Sequence, residues 1–383
     1  MKHSFYNNNE VRNALADFVR ESDRFSMGEQ CAQFEKSFAH WQQRKHAIFV
    51  SSGSMANLIL IQSLINKGDL KKGDRVGFSA VTWPTNVMPL IQLGLVSVPI
   101  DCSLDTLNIT SKEVKKSHVA NPLKALFTTN VLGFCDDLDV IADYCTENDI
   151  LLIEDNCESL GSIHKGKKLG NFGKASTFST FIGHHLSTIE GGFVCTDDDE
   201  LADYIIMCRA HGWDRNLSAD TQKALRTKHS VDDFYAMYTF YEPAFNGRPT
   251  EIQGFLGNCQ IQYLDTIVST RHNNFTRLQS TITNPNIIKL QVSHMQLVSN
   301  FSIPLLFNSE ASFHLTKELF IANNIEIRPI IAGNMLLQPF YKKHVGGQVS
   351  LPNANQVHAN GFYFSNRPDL TEEELNFVTD LLK

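Results

Sequence analysis

HAIFVSSGSMANLILIQSLI, residues 46–65, changes its period halfway along. Its first five residues are a continuous apolar run of the kind that forms a buried strand. From Met55 to Ile65 the apolar residues follow helical spacing, and the pattern stops at Gly68. Ser51-Ser52-Gly53-Ser54 makes the turn between them. Small residues there let backbone N–H groups close on an anion whose charge a helix N-terminus favours, although Ser and Gly are also routine N-caps. The same alternation continues outward. RVGFSA (75–80), LVSVPI (95–100), ALFTTNV (125–131) and ILLIED (150–155) read as strands, with a helix over Asp139–Glu147 between the last two. STFSTF (176–181) and GFVCTD (192–197) bracket a polar turn, and a helix through Leu201–Ala210 follows. This rhythm predicts an α/β fold with a large, mixed or mostly parallel sheet.

Beyond about residue 215 the character changes. Residues 216–233 read as a polar, irregular surface excursion, 244–249 as an ordered loop and Glu251–Ile267 as one helix. In the last part FHLTKELFIANN (313–324) is amphipathic, IEIRPI (325–330) is strand-like and DLTEEELNFVTDLLK (369–383) is a capped terminal helix. The expected division is a large α/β domain over residues 1–250 and a small C-terminal α+β domain over 251–383.

With 34 basic and 41 acidic residues the 383-residue chain carries a net charge of −7, and it has no basic run of five or more. Docking on nucleic acid or anionic lipid is therefore excluded as its main business. Eight cysteines are scattered without a Cys-x-x-Cys, which predicts reduced thiols, no disulfide frame and no metal site. The N-terminal MKHSFYNNNEVRNAL has no apolar core. The longest uncharged stretch, Phe78–Ile100, is interrupted by Pro84, Asn86, Gln92 and Pro99. The expectation is a cytoplasmic protein without a membrane span.

G-x-G-x-x-G, G-x-x-x-x-G-K-[ST] and H-E-x-x-H are all missing, which disfavours dinucleotide, P-loop and zincin chemistry. Glu154-Asp155-Asn156-Cys157-Glu158 stands at the carboxyl end of ILLI, where open α/β sheets bind ligands. An acid there can hold a protonated pyridine nitrogen; alone, the motif would read as a solvated acidic loop. TFSTFIGHHLSTIEGG (177–192) follows it. Together with SSGSMAN (51–57), VTWPTN (81–86), FNGRPTE (245–251) and EIRPI (326–330), this order resembles the DegT/DnrJ/EryC1/StrS sugar aminotransferase family from about residue 26 onward. The family has the fold-type I, aspartate aminotransferase-like architecture of pyridoxal-phosphate (PLP) enzymes.

In that family the segment after the phenylalanine supplies a lysine that binds the cofactor covalently. Counting from Phe181, the matching residue here is His185, or His184 if the turn is shifted by one, and no lysine lies between Lys174 and Lys223. Histidine cannot make that link but can move protons near neutral pH. The resemblance therefore implies non-covalently held pyridoxamine phosphate (PMP) or PLP, and the branch that removes the C3 hydroxyl of nucleotide-linked 4-keto-6-deoxy sugars. GDP-4-keto-6-deoxy-D-mannose, on the route to colitose and lipopolysaccharide O-antigen, is the substrate implied, with L-glutamate restoring the cofactor. AHGWDRN (210–216), IEGG (189–192) and IRPIIAGN (327–334) fit that branch. A sister branch adds an iron–sulfur cluster, which needs closely spaced cysteines, yet none lies between Cys208 and Cys259.

By resemblance, Gly53, Ser54 and Thr180 take the cofactor phosphate with Met55 beside them, and Asn246 reaches in from a second subunit of a homodimer. Asp155 pairs with the pyridine nitrogen, Glu158 with the ring hydroxyl, and Trp83 stacks on the ring. His211, Arg215, Arg248, Glu326 and Arg328 are substrate-side candidates that could equally be surface ion pairs. The competing readings are a PLP-dependent nucleotide-sugar aminotransferase and a non-catalytic cofactor-binding regulator.

Overall fold

The computed structural model describes residues 4–347 and 349–382. Residues 1–3 of the N-terminal stretch and Lys383 of the terminal helix lie outside the described residues. The seven apolar runs form seven strands in chain order: β1 (His46–Val50), β2 (Arg75–Ser79), β3 (Val96–Ile100), β4 (Ala125–Thr129), β5 (Leu151–Asp155), β6 (Ala175–Ser179) and β7 (Gly192–Thr196).

The chain forms two units, each discontinuous in sequence. The first takes residues up to Lys72, Lys174–Ile182 and Leu186–Gln262. In it β7 lies between β1 and β6 and runs antiparallel to both. Phenylalanine rings fill its core: Phe38 stacks on Phe193 at 4.0 Å, and Phe34 meets Phe49 and Phe193 edge-on at 5.0 and 4.9 Å. The helix Glu29–Gln42 carries Phe34 and Phe38 and packs on the helix Glu251–Ile261, where any side chain at Gly257 would overlap the Phe34 ring. The Glu251 carboxylate accepts from the N–H groups of Gly28, Gln30 and Cys31 at 2.7–3.0 Å and so caps the first of these helices. Against burial, these N–H groups hold its carboxyl below the usual range.

The second unit takes Gly73–Gly173, Gly183–His185 and the chain from Tyr263 onward. Its strands β5, β4, β2 and β3 lie side by side in that order, all parallel. They read as nearly continuous apolar runs because both faces are covered; every residue of β4 is buried. A separate antiparallel sheet joins Ser302–Leu306, Gly361–Ser365 and Ile327–Pro329, with Gly361–Ser365 in the middle. A third, small one joins Met295–Leu297, Ile163–His164 and Lys167–Lys168. No helix among the described residues is long and apolar enough to cross a membrane.

Two readings of the sequence are corrected. Residues 216–233 are not irregular throughout: Ala219–Lys228 is a helix capped by Ser218. None of its residues is buried, so it lacks the apolar stripe that would have marked it. The expected single helix Glu251–Ile267 is two, Glu251–Ile261 and Leu264–Thr281, broken at Gln262–Tyr263. The terminal helix Glu372–Leu381 begins with a Thr371/Glu374 capping box, as its sequence predicts. Both units are discontinuous in sequence; the linear division into 1–250 and 251–383 is kept apart from them as our proposal for the domains.

Candidate active site

Strand register builds the first group of site residues. Gly192, the first residue of β7, pairs with Val50 on one side and Ser179 on the other. The residues that follow β1 and β6 therefore leave the sheet at the same end. After β1, Ser52 caps the helix Gly53–Lys67, its Oγ accepting from Met55 N at 3.1 Å. A Cβ on Gly192 would stand 2.6 Å from the Ser52 carbonyl and 2.7 Å from Gly53 N, so only glycine lets the strand approach this turn. The result is a helix N-terminus with Ser54 exposed on it, suited to an anion. After β6, Thr180 is buried and its hydroxyl bonds the Thr188 hydroxyl at 2.5 Å. Gly192→Ala is expected to cost about 1–3 kcal/mol by overpacking and to weaken cofactor retention, read by denaturant unfolding and cofactor titration.

Met55 packs beneath the Asn246–Arg248 segment: a Cβ on Gly247 would lie 2.5 Å from Met55 Cγ, and Ser51 N donates to Gly247 O at 2.9 Å. The exposed Asn246 accepts from Arg248 Nε at 3.0 Å. Lys174 precedes β6, at the opposite end from Thr180, and is tied to Asp198 at 3.0 Å and Asp69 at 3.3 Å. It cannot serve as the missing lysine.

The second group comes from the parallel strands. Asp155 ends β5 and is buried. Its Oδ2 accepts from Asn86 Nδ2 at 2.8 Å and its Oδ1 from Cys157 N at 2.9 Å. Asn86 was not among the expected residues, although VTWPTN displayed it. The 3-10 turn Pro84–Asn86 that delivers it leaves Trp83 52% exposed, which suits an aromatic platform. Glu158 is buried, and its Oε2 accepts from Leu132 N at 2.8 Å. Leu132 sits at φ 50°, an unusual left-handed setting that aims this N–H. Burial pushes the Glu158 carboxyl up to about 8; the Leu132 N–H opposes this and the Asp155 charge adds to it. Glu154, also buried, is structural: it accepts from Asn130 Nδ2 and from the N–H groups of Gly170, Phe172 and Gly173 at 2.7–3.1 Å.

The two histidines have different surroundings. His184 stacks on Phe301 at 5.1 Å, and its carbonyl accepts from Arg271 Nη2 at 3.1 Å. His185 is buried, with Nε2 3.0 Å from the Ser299 carbonyl oxygen. A carbonyl only accepts, so Nε2 carries the proton and Nδ1 is left as a lone pair, with no hydrogen-bond partner among the described residues. Burial lowers the His185 pKa well below the usual value, aided by the Arg271 charge and by His184 and opposed by the Ser299 carbonyl. Ser299 is itself fixed, its N–H donating to Ser162 Oγ at 2.8 Å while that hydroxyl donates to Gly133 O at 2.7 Å. Arg271 and Ser299 were invisible beforehand because they lie 87 and 114 residues from the histidines they touch and belong to no motif.

The substrate-side candidates fall into two sets. In the first unit His211, Arg215 and Arg248 gather around Trp213: the Arg215 guanidinium lies 3.8 Å over its ring, that of Arg248 5.4 Å away, and the His211 ring at 4.8 Å. In the second unit Glu326 and Arg328 form an exposed ion pair, and Arg328 faces Tyr363 across the paired strands. Trp213 and Tyr363 were both missed; Trp213 was in plain view inside AHGWDRN.

The first unit offers a helix N-terminus that suits a phosphate. The second unit, by itself, offers an anchored acid, a buried carboxyl and an imidazole lone pair, donors that suit a pyridoxal-type ring held without a covalent bond. The chain is 35% identical over 381 residues to a GDP-4-keto-6-deoxy-D-mannose 3-dehydratase of Yersinia pseudotuberculosis, covering 97% of this chain and 95% of that one. It is similar to a solved GDP-4-keto-6-deoxymannose 3-dehydratase holding a trapped PLP–glutamate geminal diamine, with a TM-score of 0.89, 32% identity and coverage of 98% and 97%. A Helicobacter pylori aminotransferase of pseudoaminic acid biosynthesis shares the fold at a TM-score of 0.84 and 20% identity, over 97% of this chain and 95% of that one. The architecture is thus the fold-type I, mixed-sheet one expected. Residues 7–383 match the model of the DegT/DnrJ/EryC1/StrS aminotransferase family, to which this chain belongs.

Proposed function

We propose that the protein is a PMP-dependent nucleotide-sugar 3-dehydratase that removes the C3 hydroxyl of GDP-4-keto-6-deoxy-D-mannose or a close relative. The observation that carries this is His185, an anchored imidazole with a free Nδ1 where the family places its cofactor-binding lysine. When bound, a pyridoxamine cofactor would supply an amine able to condense with a ketone, with loss of water, and a ring able to take up the electrons of a broken C–H bond.

The chain's residues do the rest. The Gly53–Ser54 helix N-terminus takes the phosphate, with Thr180 and Met55 beside it and Asn246 contributed across a homodimer. Asp155, held by Asn86, keeps the pyridine nitrogen protonated. Glu158 donates to the ring hydroxyl, and Trp83 covers the ring face. His185 Nδ1 removes the proton that starts elimination and returns it to the departing oxygen. His211, Arg215 and Arg248 with Trp213, and the Glu326–Arg328 pair, receive the diphosphate, the base or the glutamate carboxylate. L-Glutamate is the amino donor, in keeping with the PLP–glutamate adduct of the solved relative. We place the enzyme in the cytoplasm, making a deoxysugar such as colitose for a surface polysaccharide such as O-antigen.

Purified protein incubated with PMP, L-glutamate and GDP-4-keto-6-deoxy-D-mannose tests this by mass spectrometry. The expected product is the 3-deoxy ketone, lighter by one oxygen. Exchange of the ketone for an amine would make the protein an aminotransferase instead.

A further inference from the structure

Away from the residues assigned above, Cys135, His164 and His294 come together in the second unit. The Cys135 sulfur and one ring nitrogen of each histidine all lie within 4.8 Å of one another. The three arrive from separate places: Cys135 follows the turn Val131–Gly133, His164 ends the short strand Ile163–His164, and His294 precedes its partner strand Met295–Leu297. Each imidazole is oriented from behind by an acceptor. His164 Nε2 lies 2.8 Å from Asp139 Oδ1, and His294 Nε2 lies 2.9 Å from the Cys135 carbonyl. Both Nε2 atoms therefore carry protons, leaving Nδ1 of each ring as the lone pair. His164 is 1% exposed, and its Nδ1 has no hydrogen-bond partner among the described residues. A carboxylate behind one histidine and a carbonyl behind the other is the outer-shell pattern of metal-binding imidazoles.

From this geometry we propose a site for one thiophilic divalent cation, Zn²⁺ by ligand chemistry, bound by Cys135 Sγ and the two imidazoles, with a water as fourth ligand. Two nitrogens and a thiolate are the donors that zinc favours over magnesium or calcium. Binding releases the thiol proton to solvent. The site is structural: Cys135 and His164 each stand two residues from Gly133 and Ser162, which position Ser299 behind His185. The sequence gives no sign of it, because the three ligands are spread over 160 residues.

Co²⁺ titration of the metal-stripped, cofactor-loaded protein is the test, alongside Cys135→Ser and His294→Gln. About one equivalent should bind, with tetrahedral d–d bands and a thiolate-to-metal band in the near ultraviolet. The thiolate band should vanish in Cys135→Ser, and affinity should fall at least about tenfold in His294→Gln. Saturating Zn²⁺ should raise the unfolding temperature of the wild type by at least about 2 °C, and that of Cys135→Ser far less. His294 is partly exposed, so its variant keeps the test decisive if Cys135→Ser folds poorly. Absence of saturable uptake, or a thiolate band that persists in Cys135→Ser, overturns the proposal.

Discussion

His185→Asn is expected to lower the rate of C3 deoxygenation by about 10²–10⁴-fold, the usual worth of a positioned general acid–base group, while the protein still retains its cofactor. Asparagine places an amide where Nδ1 stood and falls short of the Ser299 carbonyl that Nε2 reaches, so the variant removes the imidazole's lone pair and its anchor together. His184→Asn should change the rate far less, because that ring packs on Phe301 and its backbone carbonyl, which remains, is what binds Arg271. The pH profile separates a base from a spacer. Because burial holds the His185 pKa well below its ordinary value, the imidazole is already neutral at pH 6.5. The rate should then show no rise from this group between pH 6.5 and 8, and should fall only in more acidic solution. His185→Lys supplies a second readout: it should lose deoxygenation and hold cofactor covalently, trapped by borohydride and seen by mass spectrometry. If His184→Asn proves the more damaging of the two asparagine variants, the base has been misassigned.

What could be read in the sequence was what short-range physics writes there. All seven main strands were read to within two residues, because buried strands are continuous apolar runs bounded by turns. Asp155 stood out by its place at a strand end, whereas the histidines were singled out by the family resemblance, counted from Phe181. Less legible were the groups that hold those residues. Asn86 on Asp155, Leu132 N–H on Glu158 and Ser299 behind His185 are contacts between distant segments, and Leu132 acts through its backbone, which no residue identity reveals. The helix Ala219–Lys228 escaped for a different reason: with no buried residue it shows no apolar period. The break after Ile261 was hidden because the apolar spacing runs on through Leu264 and Ile267.

Glu158 carries the second large effect, and its sign follows from which state keeps the proton. Its folded pKa of about 8 lies above the ordinary 4.5 because the carboxyl is buried. Between those two values the folded chain holds a proton that the unfolded chain has released. The stabilisation is therefore complete below pH 4.5 and is lost as pH rises through 8. For cofactor-free protein this group alone should remove about 3 kcal/mol of stability between pH 5 and pH 8. Glu158→Gln should flatten that part of the slope, since the amide is neutral at every pH and its oxygen can still accept from Leu132 N–H. The same logic sets the functional outcome. If the working form is the neutral carboxyl donating to the cofactor's ring hydroxyl, the glutamine NH₂ can replace it, and Glu158→Gln should keep activity within about tenfold at pH 7. Glu158→Ala, which leaves the Leu132 N–H buried without its acceptor, should be less stable by about 1–3 kcal/mol and should lose cofactor readily. Denaturant unfolding at several pH values, run on all three proteins, decides it. A glutamine variant with the wild-type pH slope would show that Glu158 is ionised in the fold, and its role would then be that of an acceptor.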